Sequence, residues 1–158
     1  FFDKEAKADA ADNTPAQATR SVQTPITKEQ RERRSEIKET VTGWIPKNGS
    51  LVLRNDAIGK PIQLSTTRVK EWLNQPHAHY SEKNEVLLNI RKLMEEAVYL
   101  GNIEDKHSSD VIVHIFEVQI ANDKSWLIVR EFKDGECKLH SVSDSPTLAN
   151  LVKRRRTL

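Results

Sequence analysis

The chain of 158 residues is poor in the features that usually announce a function. It has a single cysteine, Cys137, so it cannot close an internal disulfide, and structural zinc held by several cysteines is excluded. It has five glycines, and none falls in a phosphate loop, a dinucleotide fingerprint or a nucleophile elbow; a helical His-Glu-x-x-His zinc motif is also missing. No apolar run reaches the roughly 18 to 20 residues needed to cross a bilayer. Phe1-Phe2 is followed by acidic, Ala-rich sequence rather than an apolar signal region, which excludes a visible signal peptide. The first residue is not Met, so a processed protein or a piece of a longer one is expected.

Charge of one sign is scarce as well. The net charge of +2 hides a gradient: residues 46–152 hold 13 Lys or Arg against 15 Asp or Glu, and the surplus comes from Lys153-Arg154-Arg155-Arg156. A broad basic face for coating DNA is therefore not advertised, although a small site needs only a few cations. The 37% hydrophobic content is enough for a core.

Residues 1–27 contain few large apolar side chains and read as a flexible leader or linker. Thr27-Lys28-Glu29-Gln30 has capping-box spacing, and Ile37, Val41, Trp44 and Ile45 form a stripe, so a connecting helix is expected within 28–45, ended by Pro46 and Asn48-Gly49. Residues 46–158 read as a mixed domain. Leu51–Leu53 and Pro61–Leu64 are short strand candidates, and Ser65 caps a helix through Asn74. Gln75–Tyr80 is a loop. Val86, Leu87, Ile90, Leu93, Met94, Ala97 and Val98 predict one helix over about 82–99, ending at Gly101. After a polar loop the period changes to two. Three strands (110–120, 125–132, 136–143) joined at Asn122-Asp123 and Asp134-Gly135 predict a meander, followed by a short helix after Pro146. The expected fold class is α+β, with N-terminal helices packed on a roughly four-stranded antiparallel sheet.

The histidines come next. His114 lies in an apolar strand on one face with Ile112, Phe116 and Val118, where an imidazole is either a core residue bonded to a carbonyl or a proton carrier at the edge of a site. His77 and His79 precede a helix, where they are either solvated or near a bound anion; no third ligand is spaced for a metal. His107, in a polar loop, has no assigned role. Arg130 shares a strand face with Trp126 and Ile128, and Glu131 shares the other with Leu127 and Val129. One of these charges sits among apolar neighbours, either ion-paired at the strand end or, for Arg130, as a stabiliser of a phosphorane with Glu131 orienting it. Lys60, before the Pro61 strand, is either a turn lysine or another such cation.

The succession Gly59-Lys60-Pro61-Ile62-Gln63-Leu64-Ser65, a His-bearing loop, Ala97-Val98-Tyr99, Val113-His114-Ile115-Phe116 and Trp126–Glu131 with Asp134-Gly135 resembles the large polyvalent-protein-associated and related phage-encoded domains. These are assigned to the barnase, EndoU, colicin and RelE-like nuclease superfamily. The likeness spans roughly residues 50–144. It implies a ribonuclease toxin or effector that works without a metal or other cofactor, attacking RNA, tRNA among the candidates, with the adjacent 2′-hydroxyl. By position it carries catalytic roles onto His79, His114, Lys60, Arg130 and Ser141, while Leu139-His140 stands where an aromatic pair is expected. It also implies a cognate immunity or antitoxin protein, action in a cytoplasm and no membrane partner. The alternative is a protein-docking or packaging module of a phage or mobile-element polyprotein, without turnover.

Overall fold

The computed structural model describes residues 25–105 and 108–156. His107 and most of the expected leader lie outside the described residues.

Helix α1 spans Lys28–Thr42 and begins with the anticipated capping box, in which Thr27 and Gln30 each bond the other's backbone amide. Its Ile37 and Val41 are fully buried in the main core, and its Arg33 makes a paired bond with Glu85. The helix expected as a connection is thus part of the packed domain. Burial of two such side chains contributes roughly 1.5–3 kcal/mol each.

Strands β1 (Leu51–Leu53) and β2 (Ile62–Leu64) each turn two residues into the core and one outward, the two-residue period of a half-buried strand. Helix α2 (Thr66–Asn74) is capped by Ser65, whose hydroxyl accepts from the Arg68 amide. Helix α3 (Tyr80–Glu85), a 3-10 turn (Val86–Asn89) and helix α4 (Ile90–Glu96) follow. The single helix expected over 82–99 is therefore broken. Its apolar spacing is real, since Leu87, Ile90 and Met94 are buried, but Ala97 turns extended and the chain enters a strand.

That strand, β3 (Val98–Asp105), was expected to be helix end and loop; it is joined by β4 (Ser108–Ile120), β5 (Asp123–Glu131) and β6 (Cys137–Ser143). Gly101, with φ of 140°, accompanies a register shift in the pairing of β3 with β4 rather than capping a helix. The sheet has six strands in the order β1-β2-β6-β5-β4-β3. It is mixed, because β2 runs parallel to β6 through Ile62 opposite Cys137 and Gln63 opposite Lys138. The roughly four-stranded antiparallel sheet is corrected in number and direction, while the meander and the α+β class hold.

Helices α1, α2 and α4 and the 3-10 turn cover one face of this sheet and share its main core with Phe116, Val118, Leu127, Val129 and Leu139. Helix α5 (Thr147–Arg156) packs on the other face through Ala149 and Val152 against Ile103, Val113, Ile115, Trp126 and Ile128. It meets β3 and β4, and among the described residues no helix packs chiefly on the same face over β1, β2 and β6. Among the described residues no helix is long and apolar enough to cross a membrane.

Candidate functional site

Strict alternation along β5 sends Leu127, Val129 and Glu131 to the helix-covered face and Trp126, Ile128 and Arg130 to the other. The chemistry-bearing residues consequently divide into three places.

The first lies on the helix-covered face at the end of β5. Glu131 receives Lys60 Nζ at 2.7 Å on one carboxylate oxygen and meets His114 Nε2 at 2.8 Å on the other. His114 Nδ1 meets the Tyr99 hydroxyl at 2.9 Å, and Asn102 Nδ2 donates to that hydroxyl at 3.0 Å. A neutral His114 with its proton on Nε2 satisfies every step: Asn102 donates to Tyr99, Tyr99 to His114, and His114 to Glu131. The ammonium of Lys60, then His114, hold the Glu131 carboxyl below the usual range, and Glu131 raises Lys60 in turn. His114 bonds a carboxylate and a phenol, and both ring nitrogens are engaged.

The second place is at the opposite end of β5. His77 is buried, its Nδ1 accepting from the His79 amide and its Nε2 donating to Ser125 Oγ at 2.9 Å. His79 Nε2 meets Asp123 at 2.7 Å, while Asp144 accepts from the Ala78 amide. These bonds fasten the 75–79 loop to the β4–β5 turn and to the start of α5. Asp123 and Glu131 are the first and last residues of β5, so the sites holding His79 and His114 are separated by roughly 25 Å of strand. The two histidines do not share one scissile phosphate.

The third place is a cleft of about 290 Å³ on the opposite sheet face, beside the area covered by α5, lined by Gln63, Arg68, Arg130, Phe132, Lys138 and His140 together with hydroxyls of Ser50, Ser65 and Thr67. Arg130 stands directly across the β5–β6 pair from Lys138, and Gln63 beside Lys138 through the parallel β2–β6 pairing. Arg68 comes from the first turn of α2, held there by the Ser65 cap. Arg130 is tied to Asp105 at 2.6 Å, so Glu131, on the other face, is not its orienting partner as the sequence suggested. His140 sits where the β5–β6 register shifts, between the paired positions of Leu139 and Ser141. Its Nδ1 meets Ser141 Oγ at 3.2 Å. Burial, then the positive charges of Arg68 and Arg130, push its pKa down to about 3, so the ring is neutral near pH 7.

Of the five residues singled out from the sequence, Lys60 and His114 share Glu131, Arg130 and Ser141 are on the cleft face, and His79 stands apart. Glu131's bond to His114, Tyr99, Arg68 and His140 were not foreseen. Alternation along β6 places His140 on the Lys138 face and was the one signal available for it. Among the described residues no three His, Cys, Asp or Glu side chains are grouped as metal ligands.

The fold and the cleft define an α+β domain carrying a compact cationic site on the open half of a mixed sheet. Residues 28–141 match the family model of large polyvalent protein-associated domain 3, and the chain belongs to that family. No curated protein and no solved structure matches the chain.

Proposed function

We propose that the cleft binds the phosphodiester backbone of RNA and that this domain is a metal-independent endoribonuclease. The observation that carries the reading is the meeting of three cations, Arg68, Arg130 and Lys138, with a neutral imidazole, His140, around one open volume. Asp105 pairs with Arg130 and Glu136 lies 3.9 Å from Lys138, so the three cations exceed the two carboxylates by one charge, and an anion is the natural occupant.

In this reading His140 takes the proton of a 2′-hydroxyl as that oxygen attacks the adjacent phosphorus. The bond from phosphorus to the 5′-oxygen breaks, and the leaving oxygen takes a proton from Lys138 or solvent, leaving a 2′,3′-cyclic phosphate. Arg68 and Arg130 stabilise the charge gathered on the phosphorane. The same anion offsets the repulsion between His140 and the two guanidiniums, so bound substrate makes the imidazole a stronger base. Lys60 and His114 support the end of β5 through Glu131, and His79 fastens the loop. A cognate immunity or antitoxin protein and action in a cytoplasm belong to the same reading.

The second reading is a docking module without turnover, favoured by membership in a family defined by association with large polyvalent proteins. Incubation of the protein with total RNA and tRNA in EDTA, beside His140→Ala and Arg130→Gln, separates them. Cyclic-phosphate ends from the parent alone support the ribonuclease. Intact RNA in all three, from protein whose expression cells tolerate, favours the docking module.

A further inference from the structure

Among the described residues lining the cleft Phe132 carries the one phenyl ring, and its position is set by the hairpin rather than by a core. Its amide donates to Glu136 O at 2.9 Å and its carbonyl accepts from the Gly135 amide at 2.8 Å, closing the β5–β6 turn. Gly135, with φ of 90°, supplies the left-handed conformation that this turn needs. Phe132 continues the alternation of Arg130 to the cleft face and is only half-buried there. The Arg130 guanidinium carbon lies 5.6 Å from its ring centroid and Lys138 Nζ 5.2 Å. A flat apolar ring thus lies beside two cations in a cleft whose lining otherwise combines polar side chains with Leu139.

Resting on the reading of the cleft as an RNA phosphate site, we propose that Phe132 is a stacking platform for one unpaired nucleobase, so that the ligand is single-stranded RNA rather than duplex. A phosphate held by Arg68 and Arg130 places its own nucleotide within reach of the neighbouring ring, and Lys138, half-exposed on a flexible stem, is able to leave the ring for the next phosphate. Bases within a duplex offer no free face, whereas a base in a single strand does. Stacking recognises the face that every base has, so the platform selects strandedness more than sequence.

The test uses the whole protein and a short 2′-O-methyl RNA, which lacks the nucleophile and is not cleaved, with binding read by fluorescence anisotropy. The strand is compared with its duplex and with a strand carrying one abasic position at each site in turn. The expected result is binding to the single strand weakened about fivefold or more by Phe132→Leu, retained by Phe132→Trp, and weakened to a similar extent by one abasic position. If Phe132→Leu, the duplex and every abasic strand bind as the parent pair does, while Arg68→Gln weakens them all, the stacking proposal is overturned and the phosphate site stands. If Arg68→Gln changes nothing either, the phosphate reading itself fails.

Discussion

Arg130 and Glu131 are consecutive residues of β5 whose side chains emerge on opposite faces of the sheet, one beside Asp105 at the cleft and the other between Lys60 and His114. The end of one strand therefore serves two separate polar sites. A disturbance of Glu131 reaches the cleft only through the backbone, whereas Arg130 touches it directly.

Substitution separates the histidines. His79→Ala is expected to leave RNA cleavage within about twofold of the parent, because its bond to Asp123 lies at the far end of β5. His114→Ala removes a partner from both Tyr99 and Glu131 and is expected to lower stability by about 1–3 kcal/mol, read from urea melts. His114→Gln, able to keep one of those bonds, should recover part of the loss.

The cleft cations are distinguishable by salt. Arg68→Gln and Arg130→Gln should each weaken binding of 2′-O-methyl RNA and reduce the slope of log affinity against log salt by roughly 0.7. Lys153→Gln, outside the cleft lining, serves as the comparison and should leave the slope near that of the parent.

Acid should act on stability through His140. Its folded pKa, about 3, lies below the ordinary 6.5, so between these values the unfolded chain holds more protons than the folded one. Stability is then fully retained above pH 6.5 and falls as the pH drops toward 3, with a slope from this group of at most about 1.4 kcal/mol per pH unit. Glu131, whose carboxyl is held low chiefly by Lys60 and then by His114, adds a loss of the same sign at lower pH. Chemical denaturation from pH 7 to 4 should show the decline in the parent and a shallower one in His140→Gln.

Lys83 is fully buried and donates to the carbonyls of Trp72 and Gln75 at the end of α2, with its ammonium 4.5 Å from the Tyr80 ring centroid. Burial, then Arg34, push its pKa well down. Lys83→Ala should cost about 3 kcal/mol or more in a urea melt, since it takes a donor from the Gln75 carbonyl, leaves the Trp72 carbonyl with the Gln75 amide alone, and opens a cavity. Lys83→Met, which refills the volume only, should recover less than the whole.

The elements whose signals are local were legible from the residues. The Thr27 cap, the short strands at Leu51 and Ile62, and the meander with its turn at Asp134-Gly135 have residue types that fit their conformation, whereas the turn expected at Asn122-Asp123 falls one residue earlier, at Ala121-Asn122, where Ala121 takes a φ of 54° that alanine rarely adopts. Strand β3 was not legible, because Leu100-Gly101-Asn102-Ile103 has little β-branched content and follows an apolar spacing of helical period; pairing with β4 decides its conformation. The cleft was half legible. Arg130 facing Lys138 follows from the hairpin register, but Arg68 arrives through the parallel pairing of β2 with β6, which no local pattern encodes. The expected union of His79 and His114 drew on order along the chain, and order does not tell which end of a strand a loop will reach.

The β2–β6 pairing has a consequence for the mechanics of the domain. A two-strand hairpin and a four-strand meander, each assembled from neighbours in the chain, are sewn together by only two register pairs, Ile62 with Cys137 and Gln63 with Lys138. The cleft straddles this seam, taking Gln63, Ser65 and Arg68 from one side and Arg130, Lys138 and His140 from the other. On the proposed reading, an anion gripped from both sides is a clasp across the join with the fewest register pairs in the sheet.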